Sequence, residues 1–121
     1  MKDGSLNDII IEQKSKNKIL TYEKIHFWTI QLLNGIDFLH SKEIWHRDIK
    51  PANIFLHHNE LVLGDLGLAR NQQQNFDKSL SFGIGTIFYT APEILMDAKN
   101  YNEKIDIWYL NAFKIYNLIN L

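Results

Sequence analysis

Apolar residues recur along the chain in two long helical stripes, separated by short apolar runs and polar turns. Ser5-Leu6-Asn7-Asp8 has the form of a helix start, with Ser5 as N-cap and an acid three residues later. The short helix that follows carries Leu6, Ile9 and Ile10 and is expected to dissolve in the polar stretch 14–18. Thr21 is the next N-cap. From there Ile25, Trp28, Leu32, Ile36 and Leu39 recur at steps of 3, 4, 4 and 3, which predicts a long helix through about Ser41. Ile44-Trp45 is a brief apolar pair, and the runs Ile54-Phe55-Leu56 and Leu61-Val62-Leu63 flank a polar turn and predict a hairpin. Residues 71–81 read as a polar, mobile loop and 97–102 as a polar connection. Ile105, Trp108, Ala112, Ile115 and Ile119 form a second helical stripe to the end, and Trp28, Trp45 and Trp108 are assigned to the core. This order of elements predicts an α+β fold, a mostly helical lobe with a small β-hairpin.

At 121 residues the chain has room for one domain with a real core, spanning 1–121. Apolar residues make up 45% and charged ones 22%, the range of an ordinary soluble domain. A formal charge of −1 gives no sign of a nucleic-acid surface or a polybasic membrane anchor, so neither nucleic acid nor membrane is expected as a partner. No cysteine is present, which excludes disulfides and thiolate metal sites. No apolar run approaches the roughly 18 residues a membrane span needs, and no signal-peptide core follows Met1. A cytoplasmic protein is expected, with the nucleus as the alternative.

Three short strings carry chemistry. Residues 46–53 read His46-Arg47-Asp48-Ile49-Lys50-Pro51-Ala52-Asn53; twelve positions after Asn53 comes Asp65-Leu66-Gly67; and Gly85-Thr86 leads into Ala91-Pro92-Glu93. An isolated Asp-x-Lys is ordinarily a solvated loop and Asp-Leu-Gly a turn. In this order, with a hairpin between the first two, they supply what phosphoryl transfer from a nucleotide requires. Asp48 can accept a hydroxyl proton, and Lys50 can place an ammonium against the transferring phosphoryl group. Asn53 and Asp65 offer hard oxygens for Mg²⁺, brought face to face by the hairpin. Gly67 is expected to permit an unusual backbone after Asp65. His46 reads as a packed imidazole supporting the loop, and His26 and His40 as satisfied histidines on the long helix. His57-His58 lack carboxylate or thiol company, so a zinc site is not expected there.

With these strings the chain resembles the eukaryotic protein kinases of serine/threonine type, over about residues 1–108. Gly4-Ser5-Leu6, Phe27-Trp28, the 46–55 string and the Leu63–Arg70 string LGDLGLAR look most like the NIMA-related kinases. The resemblance implies ATP and Mg²⁺ as cofactors, a protein substrate with a Ser or Thr acceptor, and an upstream activating kinase. By position it implies catalysis by Asp48 and Lys50, metal ligation by Asn53 and Asp65, and nucleotide contacts at Met1, Phe55 and Asp65. Thr86 would receive the substrate hydroxyl. Asp106 would anchor the His46–Asp48 loop through its backbone. Arg47 would draw in an activation-loop phosphate, with Ser81 and then Ser79 as acceptors. Glu93 is a structural position whose downstream arginine partner this chain does not contain.

Two departures matter. Met1 falls about where the hinge between kinase lobes sits, so the small lobe, with its glycine-rich loop and strand lysine, is expected to be absent. The family pattern Asp-x-Trp-Ser-x-Gly is replaced by Asp106-Ile107-Trp108-Tyr109-Leu110-Asn111, and the match fades from Tyr109 onward. The expected function is therefore ATP-dependent phosphoryl transfer to protein Ser/Thr hydroxyls, encoded in a fragment inactive alone. The alternative is a non-catalytic, truncated kinase-like binding module that exposes Trp108, Phe113 and Ile115.

Overall fold

The computed structural model describes residues 4–71, 90–96 and 101–119. Helix α1 (Leu6–Ser15) begins in a complete capping box. Ser5 accepts from the Asp8 amide, and the Asp8 carboxylate accepts from the Ser5 amide and hydroxyl at 2.8 and 2.6 Å. Those two bonds hold the Asp8 carboxyl below the usual carboxylate range. Helix α2 (Tyr22–Ser41) starts at Thr21, whose side chain accepts from the Lys24 amide. It buries the predicted face, Ile25, Trp28, Leu32 and Ile36, in the main hydrophobic core.

Strands β2 (Ile54–His57) and β3 (Glu60–Leu63) form the predicted hairpin in the register Ile54 to Leu63 through His57 to Glu60. Its loop is the two residues His58 and Asn59, with φ of 49° and 67°. Positive φ at both positions is the turn whose twist matches paired strands. The hairpin lies on α2: Gly35 lets Leu63 approach, and Gln31 accepts from the Leu61 amide at 3.0 Å. Ahead of α1, the Gly4 carbonyl accepts from the Leu56 amide at 3.0 Å, fastening the start of α1 to β2.

Strand β1 (Ile44–Trp45) pairs antiparallel with β4 (Arg70–Asn71), so Asn71 lies in a strand and not in the loop expected for 71–81. The sequence gives no hint of this pairing because two residues carry no periodicity. The rest of that loop lies outside the described residues. Helix α3 (Pro92–Met96) follows Ala91, and α4 (Lys104–Ile119) packs against α2.

Two expectations need correction. Tyr101, assigned to a polar connection, is buried and rests against Trp45 with ring centroids 6.0 Å apart. Trp108, assigned to the core, is 46% exposed. Helix α4 turns Ile105, Asp106, Tyr109 and Leu110 inward, and at about 100° per residue Trp108 points well over 100° away from the centre of that arc. Apolar letters counted at helical spacing missed this phase because the buried face is built around a carboxylate. Trp28 and Trp45 are buried as expected. Among the described residues no helix is long and apolar enough to cross a membrane.

The Tyr109 phenol is almost wholly buried, and burial pushes it up to about 12. In an unfolded chain a tyrosine ionises near pH 10. Its contribution to stability is therefore fully present below about pH 10 and is lost as pH rises through 12. Denaturant titrations of the parent and Tyr109→Phe should show a stability gap that is constant up to about pH 10 and closes above it. A gap independent of pH would contradict the buried neutral phenol.

Candidate active site

The loop from His46 to Asn53 runs between β1 and β2 and is held from three sides. From below, Asp106 of α4 accepts from the His46 and Arg47 amides, each at 2.9 Å. His40, at the end of α2, places its Nε2 2.8 Å from the same carboxylate; because a carboxylate only accepts, that nitrogen carries the hydrogen. Asp106 and His46 are both 0% exposed. From the side, the Asp48 amide donates to Nδ1 of His46 at 3.3 Å, so His46 carries its hydrogen on Nε2 and donates it to the Gly64 carbonyl at 3.0 Å. From above, Pro51–Asn53 forms a single 3₁₀ turn closed by the Asn53 amide on the Lys50 carbonyl.

These restraints gather three of the sequence-assigned groups. Lys50 Nζ lies 2.9 Å from Asp48 Oδ2, and Asn53 Nδ2 donates to the same oxygen at 2.7 Å and to the Asp48 carbonyl at 2.9 Å. An amide that turns its nitrogen to Asp48 presents its oxygen on the opposite side. The Gly64 amide donates to the Asn53 carbonyl at 2.9 Å, which brings the residue before Asp65 against Asn53. Asp48 and Asn53 are buried, whereas Asp65 is exposed.

Asp65, with φ 55° and ψ 69°, adopts the left-handed region, and its carboxylate accepts from the Gly67 amide. The unusual backbone expected at Gly67 thus belongs to Asp65. At Gly67 a Cβ would crowd Asp65 Oδ1 at 3.1 Å, so a larger residue there would push on that exposed carboxylate. Gly64, not singled out in the sequence, is more constrained: a Cβ would stand 2.5 Å from the Phe55 ring. Phe55 therefore lies against backbone between the hairpin and the start of α1.

Arg47 also takes a positive φ, 66°, and its guanidinium carbon sits 5.7 Å and 5.5 Å from the Trp45 and Tyr101 ring centroids. Two aromatic faces offset the cost of burying that cation. Glu93 stands half-buried in the first turn of α3. Met1, Ser79, Ser81 and Thr86 lie outside the described residues. His57 and His58 contact each other edge to face at the hairpin turn, and among the described residues no three His, Cys, Asp or Glu side chains gather into a metal-holding group.

Two residues of this region, Gly64 and Tyr109, escaped the sequence reading. Gly64 was signalled only by its place before Asp65, whereas His40, expected as a satisfied histidine on the long helix, is one, through its bond to Asp106. Tyr109 was visible as a large residue where the family pattern has a small one.

Known proteins match this chain over most of its length. The family model described as "Protein kinase domain" matches residues 1–120. Mitogen-activated protein kinase 4 of Rattus norvegicus is 43% identical over 93 residues, 74% of this chain and 34% of that protein. Serine/threonine-protein kinase Nek11 of Homo sapiens is 41% identical over 105 residues, 87% of this chain and 16% of that protein. Cyclin-dependent kinase 20 of Danio rerio is 35% identical over 104 residues, 85% of this chain and 30% of that protein. The NIMA-like likeness is thus one of several at comparable identity, and the chain spans only a sixth to a third of the length of these relatives. The match over residues 1–120 and the loop built on Asp106 lead to one conclusion: the chain belongs to the protein kinase domain family.

Proposed function

We propose that this chain carries the catalytic half of an ATP- and Mg²⁺-dependent kinase that phosphorylates Ser or Thr hydroxyls of proteins. The observation that supports it best is the convergence of Lys50 and Asn53 on one oxygen of Asp48, at 2.9 and 2.7 Å. Both contacts fall on Oδ2, so Oδ1 is the oxygen suited to accept the proton of an incoming hydroxyl. The Lys50 ammonium, 29% exposed, can swing from Asp48 toward a phosphoryl oxygen while staying tethered to the loop.

The donor set fits magnesium. Mg²⁺ prefers six hard oxygens and is commonly held by one or two protein groups, with phosphates and water completing its shell. Asn53 Oδ1 and the exposed Asp65 carboxylate are donors of that kind on adjoining segments joined by the Gly64–Asn53 bond. When bound, the metal would neutralise charge on the phosphates. The work of this chain is to hold Asp65 in a left-handed conformation costing about 1–2 kcal/mol, directly after the Gly64 amide that is bonded to the Asn53 carbonyl.

We further infer that a polypeptide of these 121 residues, assayed alone, transfers phosphate slowly. No G-x-G-x-x-G loop occurs within them, and backbone and lysine contacts to the phosphates supply much of the positioning and charge stabilisation. The reading as a non-catalytic binding module draws on the exposed Trp108, and a monomer by sedimentation that unfolds cooperatively would argue against it.

Two outcomes test the proposal. In calorimetric titration the chain should bind ATP only with Mg²⁺ present, Asp65→Asn should weaken binding about tenfold or more, and Asp48→Asn should leave it within about twofold. Magnesium-independent binding, or equal losses in both variants, would sink the assignment of roles. In a radiolabel transfer assay, turnover should fall at least about 10³-fold below the 1–100 s⁻¹ of intact kinases; turnover in that range would refute the claim of a slow fragment.

A further inference from the structure

We propose that Tyr101 is a positioning residue for Asp48: with Trp45 it forms an aromatic wedge that holds the Arg47 guanidinium, and that hold fixes the backbone turn that aims Asp48. The inference rests on the reading of Asp48 as the group that receives the acceptor proton, and names a residue outside the loop that sets its direction.

Trp45 and Tyr101 have ring centroids 6.0 Å apart, with their planes inclined at 52°. The guanidinium carbon of Arg47 stands over both rings, 5.7 Å from the centroid of Trp45 and 5.5 Å from that of Tyr101. Three nearly equal separations put the cation at the third corner of a triangle, within reach of the negative π face of each ring. Arg47 is 7% exposed, so water screens the contact little. An aliphatic neighbour of similar size would bury the cation equally but offer it no negative face.

The backbone makes this contact matter for Asp48. Asp106 accepts from the His46 and Arg47 amides at 2.9 Å each, which fixes the chain as far as the Arg47 nitrogen. Peptide units are rigid, so the path beyond that atom depends first on the φ angle of Arg47. Rotation about φ swings the Arg47 side chain and the next peptide together, and that peptide carries the Asp48 amide. Arg47 sits at φ 66°, a region disfavoured for a residue with a Cβ. Holding the guanidinium therefore holds this angle. It keeps the Asp48 amide donating to His46 Nδ1 at 3.3 Å and the Asp48 carbonyl accepting from Asn53 Nδ2 at 2.9 Å. Tyr101 is the half of the wedge that lies far from the loop in sequence, three residues before α4 begins at Lys104. The α4 segment thus holds the loop twice, by the backbone at Asp106 and by a side chain at Tyr101.

Amide exchange on the full chain separates a ring that binds a cation from one that fills space. Tyr101→Phe keeps the π face and should leave the His46, Arg47 and Asp48 amides within about twofold of the parent. Tyr101→Leu keeps apolar bulk alone. It should speed exchange at the Asp48 amide about tenfold and leave the His46 and Arg47 amides, held by Asp106, within about twofold. In an Arg47→Met background no charge remains to be held, so adding Tyr101→Leu should change Asp48 exchange by less than about twofold. Equal effects of Phe and Leu, acceleration spread evenly over the three amides, or a full effect in the Arg47→Met background overturns the wedge.

The link to the site has its own readout, which needs no turnover. The side-chain amide signals of Asn53 should move in Tyr101→Leu toward those of a solvated asparagine and keep their parent positions in Tyr101→Phe. Asn53 signals unmoved by Tyr101→Leu overturn the positioning role. If Mg·ATP fails to bind the parent chain, the kinase reading falls, and Asp48 exchange still decides whether the Tyr101 ring holds Arg47.

Discussion

Asp106 is a carboxylate at 0% exposure, and an isolated charge at that depth would cost several kilocalories per mole in lost hydration. It is tolerated because three hydrogens point at it: the His46 and Arg47 amides and the His40 imidazole. Hydrogen bonds to an ionised acceptor are about twice as strong as neutral ones. The same bonds solve a second problem, since His46 and Arg47 lie in buried backbone outside any helix or long strand, and their amides need acceptors. Neither half is stable without the other. The loop therefore has one position relative to α4, and everything attached to it inherits that position.

The strain in the backbone follows the same logic. Among the described residues, six non-glycine residues have positive φ. Asn17 and Glu43 follow the last residues of α1 and α2, where a left-handed residue closes a helix, and His58 and Asn59 form the hairpin turn. Arg47 and Asp65 have no such local reason. Arg47 can stay strained because Asp106 holds its amide and two aromatic rings flank its side chain. Asp65 can stay strained because its carboxylate accepts from Gly67 and the preceding residue is fixed to Asn53 and His46.

What could be read from the letters was local. Capping at Ser5 and Thr21, the buried stripe of α2 and the presence of the hairpin each depend on residues a few positions apart, and each was legible, although His57 and Glu60, read as turn, pair as strand residues. The Asp48–Lys50–Asn53 grouping was legible for the same reason, being confined to one loop. The pairing of β1 with β4 was not, because its partners are some 26 positions apart and two-residue strands leave no pattern. The inward face of α4 was misjudged because hydrophobicity is a poor guide where a charge is buried on purpose of binding backbone. Tyr101 was missed for a related reason: its value comes from Trp45 and Arg47, distant in sequence, and nothing adjacent to it announces them.

Helix α4 thereby departs in part from the usual relation between amphipathic pattern and packing, although Ile105 and Leu110 still face inward. An ordinary surface helix turns apolar residues inward and charges outward. Here a carboxylate and a phenol are inside while an indole is 46% exposed, so the helix gives up some hydrophobic burial in exchange for directional contacts. Dispersion and burial fix distances loosely and orientations hardly at all, whereas hydrogen bonds at 2.9 Å to backbone amides fix both. A chain that must keep Asp48, Lys50 and Asn53 within hydrogen-bond reach of one another needs the second kind of restraint. Burying polar groups on the central helix supplies it, because a polar group inside the protein must find its partner or the fold does not form.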